Sequence, residues 1–243
     1  MKPKVYVALT MTHGLVQGMF IPTLMNLFAH RTFDMVLWQY IDPYTPLARN
    51  AAAADFLMGD STHILFLDVD ILDPQVSMHV ERMLSHGEAI VGGFYAKKDE
   101  KKLTWCCNAL PERPAPDKRG LMALRHIGTG FLLIKREVFE KMFSELHGEI
   151  SYYEDETDRL LWDFFDMPRK VDAGGKRRKI SEDWHFCNTA RDMGFKVWGD
   201  THVTLMHIGT ALFPLQHQAS RKKINVIDPA VLSETAGSKQ PYA

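Results

Sequence analysis

The chain has 243 residues, of which 46% are hydrophobic and 24% charged, and this balance excludes a disordered or fibrous protein. Its formal net charge of −1 at pH 7 gives no electrostatic argument for nucleic acid as a general partner. The three cysteines have the spacing of neither a disulfide framework nor a zinc site, and no apolar stretch is long enough to span a bilayer, so we expect a cytoplasmic protein without a membrane span.

Apolar runs bounded by turn residues predict strands, and apolar residues at helical spacing predict helices. In chain order we expect strands at about 5–9, 34–40, 62–68, 89–95, 103–109, 131–134, 196–199 and 203–206, and helices at about 21–30, 46–58, 75–86, 136–147 and 181–193. This alternation predicts one α/β domain, which we assign to residues 1–213. The hydrophobic density falls over residues 214–243, which we expect to form a C-terminal extension or tail.

The stretch from Thr62 to Asp70 carries the strongest signal in the chain. Its apolar run contains no glycine or proline and predicts a buried strand, and Asp68 and Asp70 follow where that strand ends. In open α/β sheets, ligands bind beyond the carboxyl ends of the strands, and carboxylate oxygens suit a divalent metal. Thr10 begins the polar segment after the first strand, where such a sheet would bind a nucleotide.

Two cationic features have no evident partner in the sequence. Arg49 falls in the first turn of the 46–58 helix, where the helix dipole disfavours a cation, so we expect a bound anion or a carboxylate near it. Residues 169–179 carry six lysines and arginines around two glycines and predict a solvated loop. Such a loop could close over a diphosphate or bind a phosphate backbone locally.

Three later motifs contain polar residues at element boundaries. Gly128-Thr129-Gly130 forms a turn before a strand, which is the wrong order for a dinucleotide fingerprint and excludes that kind of site. Ser181 is the predicted N-cap of a helix, and the dipole favours Glu182 and Asp183 in its first turn. His207 follows the last predicted strand, and by itself it is either a structural residue or a ligand.

Taken together, five features in this order resemble GT-A glycosyltransferases, enzymes that use nucleotide-sugar donors, and most of all the small single-domain ones of viruses, phages and bacteria. The features are Arg49-Asn50 on a helix, Asp68-Val69-Asp70 after a strand, Gly128-Thr129-Gly130 before a strand, Glu182-Asp183 opening a helix, and His207 after a late strand. The resemblance implies a GT-A sandwich, with a mostly parallel central sheet flanked by helices, and metal-dependent transfer of a sugar to a hydroxyl acceptor. For a viral protein, the cytoplasm would be that of the host.

The resemblance also implies roles in donor binding. Asp70 would coordinate Mn²⁺ or Mg²⁺ together with His207, and Asp68 would hold the ribose or share the metal. Arg49 would contact the nucleotide or its phosphates, and Thr10 is expected to lie beside them. The donor would be a nucleotide sugar, with a UDP-sugar as the first expectation.

Further roles concern the transferred sugar and its acceptor. Gly128, Thr129 and Gly130 would line the donor sugar. Asp183 would be the base that deprotonates the acceptor hydroxyl in an inverting transfer, with Glu182 supporting it, although retaining enzymes of this fold also carry an acid or amide in this region. The acceptor could be a glycan, a protein or a modified base of a nucleic acid.

Three other functions fit parts of the sequence. A nucleotidyltransferase of the same fold usually carries a glycine-rich basic loop after its first strand, and Thr10-Met11-Thr12-His13-Gly14 is not such a loop. A sugar-nucleotide-binding protein without turnover is a second alternative, against which the intact acids argue. A metal hydrolase could use Asp68, Asp70 and His207, although the spacing shows no dense His/Asp cluster.

Overall fold

The structure, a computed structural model, describes residues 2–29, 31–99, 104–110, 115–155 and 157–209, and the backbone of 212–214. Its strands are, in chain order, β1 (Lys4–Met11), β2 (Asp34–Ile41), β3 (His63–Asp68), β4 (Ile71–Leu72), β5 (Ile90–Phe94), β6 (Cys107–Ala109), β7 (Leu121–Ile127), β8 (Phe131–Lys135), β9 (Ser151–Tyr153), β10 (Leu160–Trp162), β11 (Arg169–Val171), β12 (Arg177–Lys179), β13 (Val197–Thr204), β14 (Met206–Ile208) and β15 (Leu212–Pro214). Its helices are α1 (Ile21–Ala29), α2 (Thr45–Met58), α3 (Val76–Ser85), α4 (Arg136–Ile150) and α5 (Glu182–Asp192), with a short 3-10 helix at Gly18–Phe20.

An eight-stranded sheet forms the centre of the fold, with the strand order β2-β1-β3-β8-β5-β13-β7-β6. β1 pairs in parallel with β2 and β3, and β13 pairs in parallel with β5. Only β7 and β8 run against the direction of the other strands of this sheet. The predicted fold class, α/β with a mostly parallel central sheet flanked by helices, is therefore confirmed, and the architecture is GT-A-like.

Helices cover both faces of the central sheet, and β3 shows why. Ile64 and Phe66 belong to the apolar cluster that contains side chains of α2, α4 and α5. Leu65 and Leu67 belong to the cluster on the other face, which contains side chains of α1 and α3. Since successive side chains of a strand point to opposite faces, a strand buried on both sides needs an unbroken apolar run. The run before Asp68 meets that need.

The structure corrects several predicted elements. The segments 196–199 and 203–206 form parts of one strand, β13, whose pairing with β5 shifts register between Asp200 and Thr204. His207 lies within the short strand β14 instead of following a strand. Residues 169–179 form an antiparallel hairpin of β11 and β12 instead of a loop.

Other differences concern elements that were missed or shortened. β7 was not predicted, and it pairs with β13 and with β6. The strand expected from residue 103 is reduced to β6, and residue 103 lies outside the described residues. The predicted extension at 214–243 also lies outside them, except for the backbone of Pro214. Among the helices that the structure describes, none has both the length and the apolar character needed to cross a bilayer.

Candidate functional site

A pocket opens beyond the carboxyl ends of β1, β2 and β3, which are neighbours in the sheet and run in the same direction. Its lining consists of Thr10, Met11, Thr12, Asp42, Thr45, Ala48, Asp68, Val69 and Asp70. This is the edge at which open α/β sheets bind ligands. The pocket volume is about 140 Å³. Because small-molecule sites usually measure roughly 300–1,000 Å³, this pocket has room for only part of a ligand of that class.

Arg49 joins two carboxylates on one side of this pocket. Its guanidinium is buried, with 4% of the side chain exposed. Nη1 donates to Glu182 Oε1 at 2.6 Å, and Nη2 donates to Asp68 Oδ2 at 3.2 Å. The hydroxyl of Thr10 donates to the other oxygen of Asp68. The cation that the helix dipole disfavours is therefore offset by two carboxylates from β3 and α5.

The charge of Arg49 is stabilised by these partners. Burial would lower the pKa of the guanidinium, but the charges of Asp68 and Glu182 act in the opposite direction and leave its pKa raised. Since breaking a buried ion pair leaves an uncompensated charge, Arg49 also fixes the start of α5 against the end of β3. Glu182 thus contacts Arg49, and Asp183, the residue after Glu182, is held close to this ion pair.

Asp70 and His207 meet because two short strands pair. β4 begins directly after Asp70 and pairs with β14, in which His207 lies opposite Ile71. The backbone N–H of Ile208 donates to the carbonyl of Asp70 at 2.7 Å. As a result, His207 Nε2 lies 3.4 Å from Asp70 Oδ2.

The hydrogen bonds around this pair define which atoms are free to bind a ligand. His207 Nδ1 lies 2.8 Å from the carbonyl oxygen of Ala96, which can only accept, so Nδ1 is a donor and Nε2, which faces Asp70, is the ring nitrogen that could offer a lone pair to a metal. Asp70 Oδ1 is buried and has no partner among the described residues. Lys98 donates to Asp70 Oδ2. Burial would raise the pKa of Asp70, but its contacts with His207 and Lys98 lower it, which keeps the carboxylate ionised.

These donors fit a divalent cation with two protein ligands. A carboxylate oxygen without a partner and an imidazole lone pair, with the second ring nitrogen bound to a carbonyl, are features of metal sites. Mg²⁺ is often held by one or two protein carboxylates, with substrate phosphates and water completing its shell. No group of three His, Cys, Asp or Glu side chains within the described ranges could hold a metal, and Asp68 contacts Arg49 and Thr10.

The glycine turn between β7 and β8 packs against Tyr95. A Cβ added at Gly128 would lie 2.3 Å from the Tyr95 hydroxyl, and one at Gly130 would lie 2.7 Å from it and 3.0 Å from Asp68 Oδ2. The N–H of Gly130 donates to the same hydroxyl at 2.9 Å. The glycines are thus required for close packing. Thr129 between them is buried, and its hydroxyl has no partner in the described structure.

Tyr95 was not predicted as a site residue. Its ring also makes an edge contact with His207 at 5.2 Å between centroids, so it lies between the glycine turn and the Asp70–His207 pair. Burial raises the pKa of Tyr95 well above its usual value, which keeps the hydroxyl neutral. The sequence signal was its position just after Gly92-Gly93, because small residues at the end of a strand allow a ligand or a neighbouring backbone to approach closely.

Asp183 lies in the first turn of α5. Its Oδ1 accepts from the N–H of Trp184 at 2.8 Å and from the hydroxyl of Ser181. Ser181 occupies the predicted N-cap position, but its side chain does not bond a backbone N–H. Burial raises the pKa of Cys106 to about 12; the charge of Lys97 acts against this effect, and the charges of Asp183 and Asp70 add to it.

Asp42 is a second residue that sequence reasoning missed. It follows β2, lines the pocket, and accepts the N–H of Tyr44 at 2.6 Å through Oδ1. Its signal was the same as that of Asp68, an acid where a strand of the parallel group ends. With Asp42, each of the three neighbouring strands brings at least one polar side chain to the pocket.

The fold has a counterpart among solved structures. The crystal structure of A197 from STIV aligns with 92% of this chain and 100% of its own, with a TM-score of 0.52 and 16% sequence identity. At this identity the likeness concerns the fold alone, and it supports the GT-A-like architecture. No protein-family model matches the chain, and no curated protein matches its sequence.

Proposed function

We propose that the protein is a metal-dependent glycosyltransferase that moves a sugar from a nucleotide sugar, with a UDP-sugar as the expected donor, to a hydroxyl acceptor. The observation that carries the proposal is the pairing of Asp70 with His207 at the edge of a pocket beyond the ends of three parallel strands. Acids at strand ends occur in many proteins, but here one of them lies next to an imidazole nitrogen and keeps a buried oxygen without a partner among the described residues.

The pocket is proposed to bind the nucleoside. Thr10, Asp42 and Asp68 supply hydroxyl and carboxylate groups along its wall, and Asp68 is held in place by Arg49. Carboxylates accept hydrogen bonds from ribose hydroxyls. The glycine turn at 128–130 is proposed to border the donor sugar, because its backbone lies next to Asp68 and Tyr95.

Asp70 and His207 are proposed to hold Mn²⁺ or Mg²⁺, with the donor diphosphate as a further ligand. Bound there, the cation would stabilise the negative charge that grows on the departing diphosphate. Lys98 is a second positive charge at this position, since its ammonium contacts Asp70. Once the diphosphate is present, its oxygens should attract Lys98 more strongly than Asp70 does, because that carboxylate is then already bound to the metal.

Asp183 is proposed as the general base. The acceptor hydroxyl loses its proton to the carboxylate while its oxygen bonds to the anomeric carbon, and the bond from that carbon to the diphosphate oxygen breaks. Attack on the face opposite the leaving group inverts the anomeric carbon. Ser181 and the N–H of Trp184 both bond Oδ1, which orients the carboxylate and leaves Oδ2 for the acceptor proton.

A thermal-shift screen tests this function. The protein is heated with UDP-, GDP-, dTDP- and CMP-sugars, each with Mn²⁺ and with EDTA, because a ligand of the folded state raises its stability. We expect a metal-dependent shift with one nucleotide class that is lost in Asp70→Ala. Asp192→Ala is the matched control, since Asp192 is exposed at the end of α5 and its replacement should keep the shift.

Three outcomes would contradict the proposal. No shift with any nucleotide sugar, in folded protein with Mn²⁺ present, would remove the donor site. A shift without transfer to any acceptor would instead favour the alternative of a sugar-nucleotide-binding protein. A shift with nucleoside triphosphates that exceeds the shift with nucleotide sugars would favour a nucleotidyltransferase.

A further inference from the structure

The hairpin formed by residues 169–179, here called the basic hairpin, is an exposed and strongly cationic surface. All residues of β11 and β12 are exposed. The cationic side chains are Arg169, Lys170, Lys176, Arg177, Arg178 and Lys179, against the single carboxylate of Asp172. Among the ion pairs found in the described ranges, only that of Arg178 with Asp172 involves this hairpin. Positive charge is thus concentrated here, although the whole chain is nearly neutral.

The cations are arranged in a way that disfavours the isolated hairpin. Arg169 lies directly opposite Lys179, and Lys170 directly opposite Arg178. Like charges at opposite positions destabilise an antiparallel pair, and a two-stranded hairpin is marginally stable by itself. The turn is nevertheless well defined, because Asp172 accepts the N–H groups of Gly174 and Lys176, each at 2.9 Å. A polyanion between the opposed cations would convert their repulsion into binding energy.

Both ends of the basic hairpin are joined to the candidate site. On one side, the hydroxyl of Tyr44 contacts Met167 Sδ at 3.4 Å, and Tyr44 directly precedes Thr45 of the pocket wall. The N–H of Ile180 donates to the carbonyl of Pro168 at 2.9 Å and closes the base of the hairpin. On the other side, the chain continues directly into the helix that carries Asp183. A polymer bound to the hairpin would therefore pass close to the proposed base.

An aromatic pair lies next to Asp183. The rings of Trp184 and His126 are stacked, with centroids 4.8 Å apart and an angle of 3° between their planes. His126 is buried, and both of its ring nitrogens are bonded, to Asn188 and to Asn108. Trp184 is the more exposed ring of the pair. Single-stranded nucleic acids are bound in this way, by cations along the backbone and by aromatic rings on which bases stack.

We infer that the basic hairpin binds the phosphate backbone of a nucleic acid, that Trp184 stacks with one of its bases, and that the acceptor hydroxyl belongs to this nucleic acid. The last step rests on the proposed glycosyl transfer, whereas the binding does not. An anionic glycan would use the same cations, but the stacked tryptophan beside the proposed base favours a strand with unstacked bases.

Binding is measured by fluorescence anisotropy with a labelled single-stranded DNA, the corresponding RNA, the duplex, and heparin as an anionic glycan. The hairpin variant replaces Lys170, Lys176 and Lys179 with glutamine. The control variant replaces Lys2, Lys118 and Lys141 with glutamine, which changes the net charge equally at sites away from the hairpin. Since each phosphate contact contributes about 0.7 to the salt dependence of single-strand binding, the hairpin variant should lower that slope by about two.

We expect the hairpin variant to lose at least tenfold in affinity for single strands, while the control variant stays within about twofold of the unmodified protein. Trp184→Leu, which keeps an apolar cover on His126, should lose about tenfold for single strands and less for the duplex. The thermal shift with nucleotide sugar should be unchanged in the hairpin variant, because the hairpin contacts the acceptor.

Several results would overturn the inference. One is an equal loss of affinity for single strands in the hairpin and control variants, and another is binding of heparin without binding of nucleic acid. A third is loss of the nucleotide-sugar thermal shift in the hairpin variant, which would assign the hairpin to donor binding. Failure of the proposed function looks different. Hairpin-dependent binding of nucleic acid by a protein that shows no nucleotide-sugar shift would overturn the glycosyl transfer and support the binding.

Discussion

Arg49 and Asn50 are neighbours in α2 that fix two different parts of the site. Arg49 binds Asp68 and Glu182, and so connects the end of β3 with the start of α5. Asn50 is fully buried, donates to Asp163 Oδ1 at 2.8 Å, and accepts the N–H of Phe165 at 2.9 Å. One side chain thus positions charges at the pocket, and the next positions the segment that leads to the basic hairpin.

Replacement of the proposed base, Asp183, should lower kcat without changing the affinity for the donor. Asp183→Asn keeps an oxygen that can accept from Ser181 and Trp184, but it cannot take a proton from the acceptor. We expect kcat to fall by about 10²–10⁴, the usual contribution of a general base, with donor affinity unchanged. Asp192→Asn is the matched control, because Asp192 is an exposed acid at the end of the same helix. Equal kcat values for Asp183→Asn and the unmodified protein would refute the assignment.

Lys98 competes with a cation for Asp70. Its ammonium contacts the Asp70 oxygen that also faces His207, so metal binding without donor must displace it. A partly exposed ion pair contributes about 0.2–1 kcal/mol, and Lys98→Met should therefore tighten Mn²⁺ binding by up to about fivefold while weakening donor binding. Electron paramagnetic resonance of free Mn²⁺ measures the first effect. Lys97→Met is the control, and indistinguishable Mn²⁺ affinities for the two variants would exclude this competition.

At the level of elements, two very short strands assemble the proposed metal site. β4 and β14 contain only two and three residues, and their pairing brings together Asp70 and His207, which are far apart in sequence. Tyr95 then fills the space between His207 and the glycine turn. The turn, the β4–β14 pair and the end of β5 therefore form one packed unit around a single hydroxyl group.

A double-mutant cycle tests that packed unit. Gly128→Ala puts a methyl group 2.3 Å from the Tyr95 hydroxyl, so we expect overpacking to lower the free energy of unfolding by about 1–3 kcal/mol. Tyr95→Phe removes the hydroxyl and the acceptor of the Gly130 N–H, at a cost of about 1 kcal/mol. In the double variant the two changes should partly compensate, because the 2.3 Å contact is gone and the nearest atom is then Tyr95 Cζ at 3.1 Å. Strictly additive losses in urea unfolding would show that the hydroxyl does not limit the space at Gly128.

The elements that could be predicted from the sequence are those whose buried side chains form an unbroken run or recur at regular spacing. β3 and the long helices have unbroken or periodic apolar residues, and they are confirmed. The basic hairpin was missed because both of its strands are exposed and carry charges on both faces, so no apolar alternation marks them. β7 was missed because a register shift in its pairing with β6 disturbs the spacing of its buried residues.

The candidate site was predictable in its residue types but not in its pairings. An Arg in a first turn indicated a need for negative charge, and the structure supplies Asp68 and Glu182, of which Glu182 is 133 residues away. Only the tertiary fold determines which acid that is. Tyr95 and Asp42 were missed for a related reason. The position of a polar residue after a strand does not indicate which atoms its side chain will contact.

For the molecule as a whole, burial keeps several histidines neutral. The pKa values of His126 and His185 are lowered by burial, and that of His63 is lowered to about 4 by burial and by the charge of Lys135. An unfolded histidine titrates near 6.5. Between about pH 6.5 and 4 the unfolded chain therefore binds protons that the folded protein does not, so stability must fall as the pH falls through this window.

His63→Gln tests this at the start of β3, since glutamine stays neutral in both states. The stability contribution of His63 is fully present above about pH 6.5 and is lost towards pH 4. Between these values the free energy of unfolding of the unmodified protein should therefore fall by about 1–2 kcal/mol more than that of the variant, after allowance for solvent screening of a partly exposed ring. Urea unfolding at both pH values measures the difference, and the paired carboxylates, which also protonate, are common to both proteins. His13→Gln is the control, because it makes the same replacement at an exposed position. Parallel stability curves for His63→Gln and the unmodified protein would mean that the buried ring does not determine the acid sensitivity of the fold.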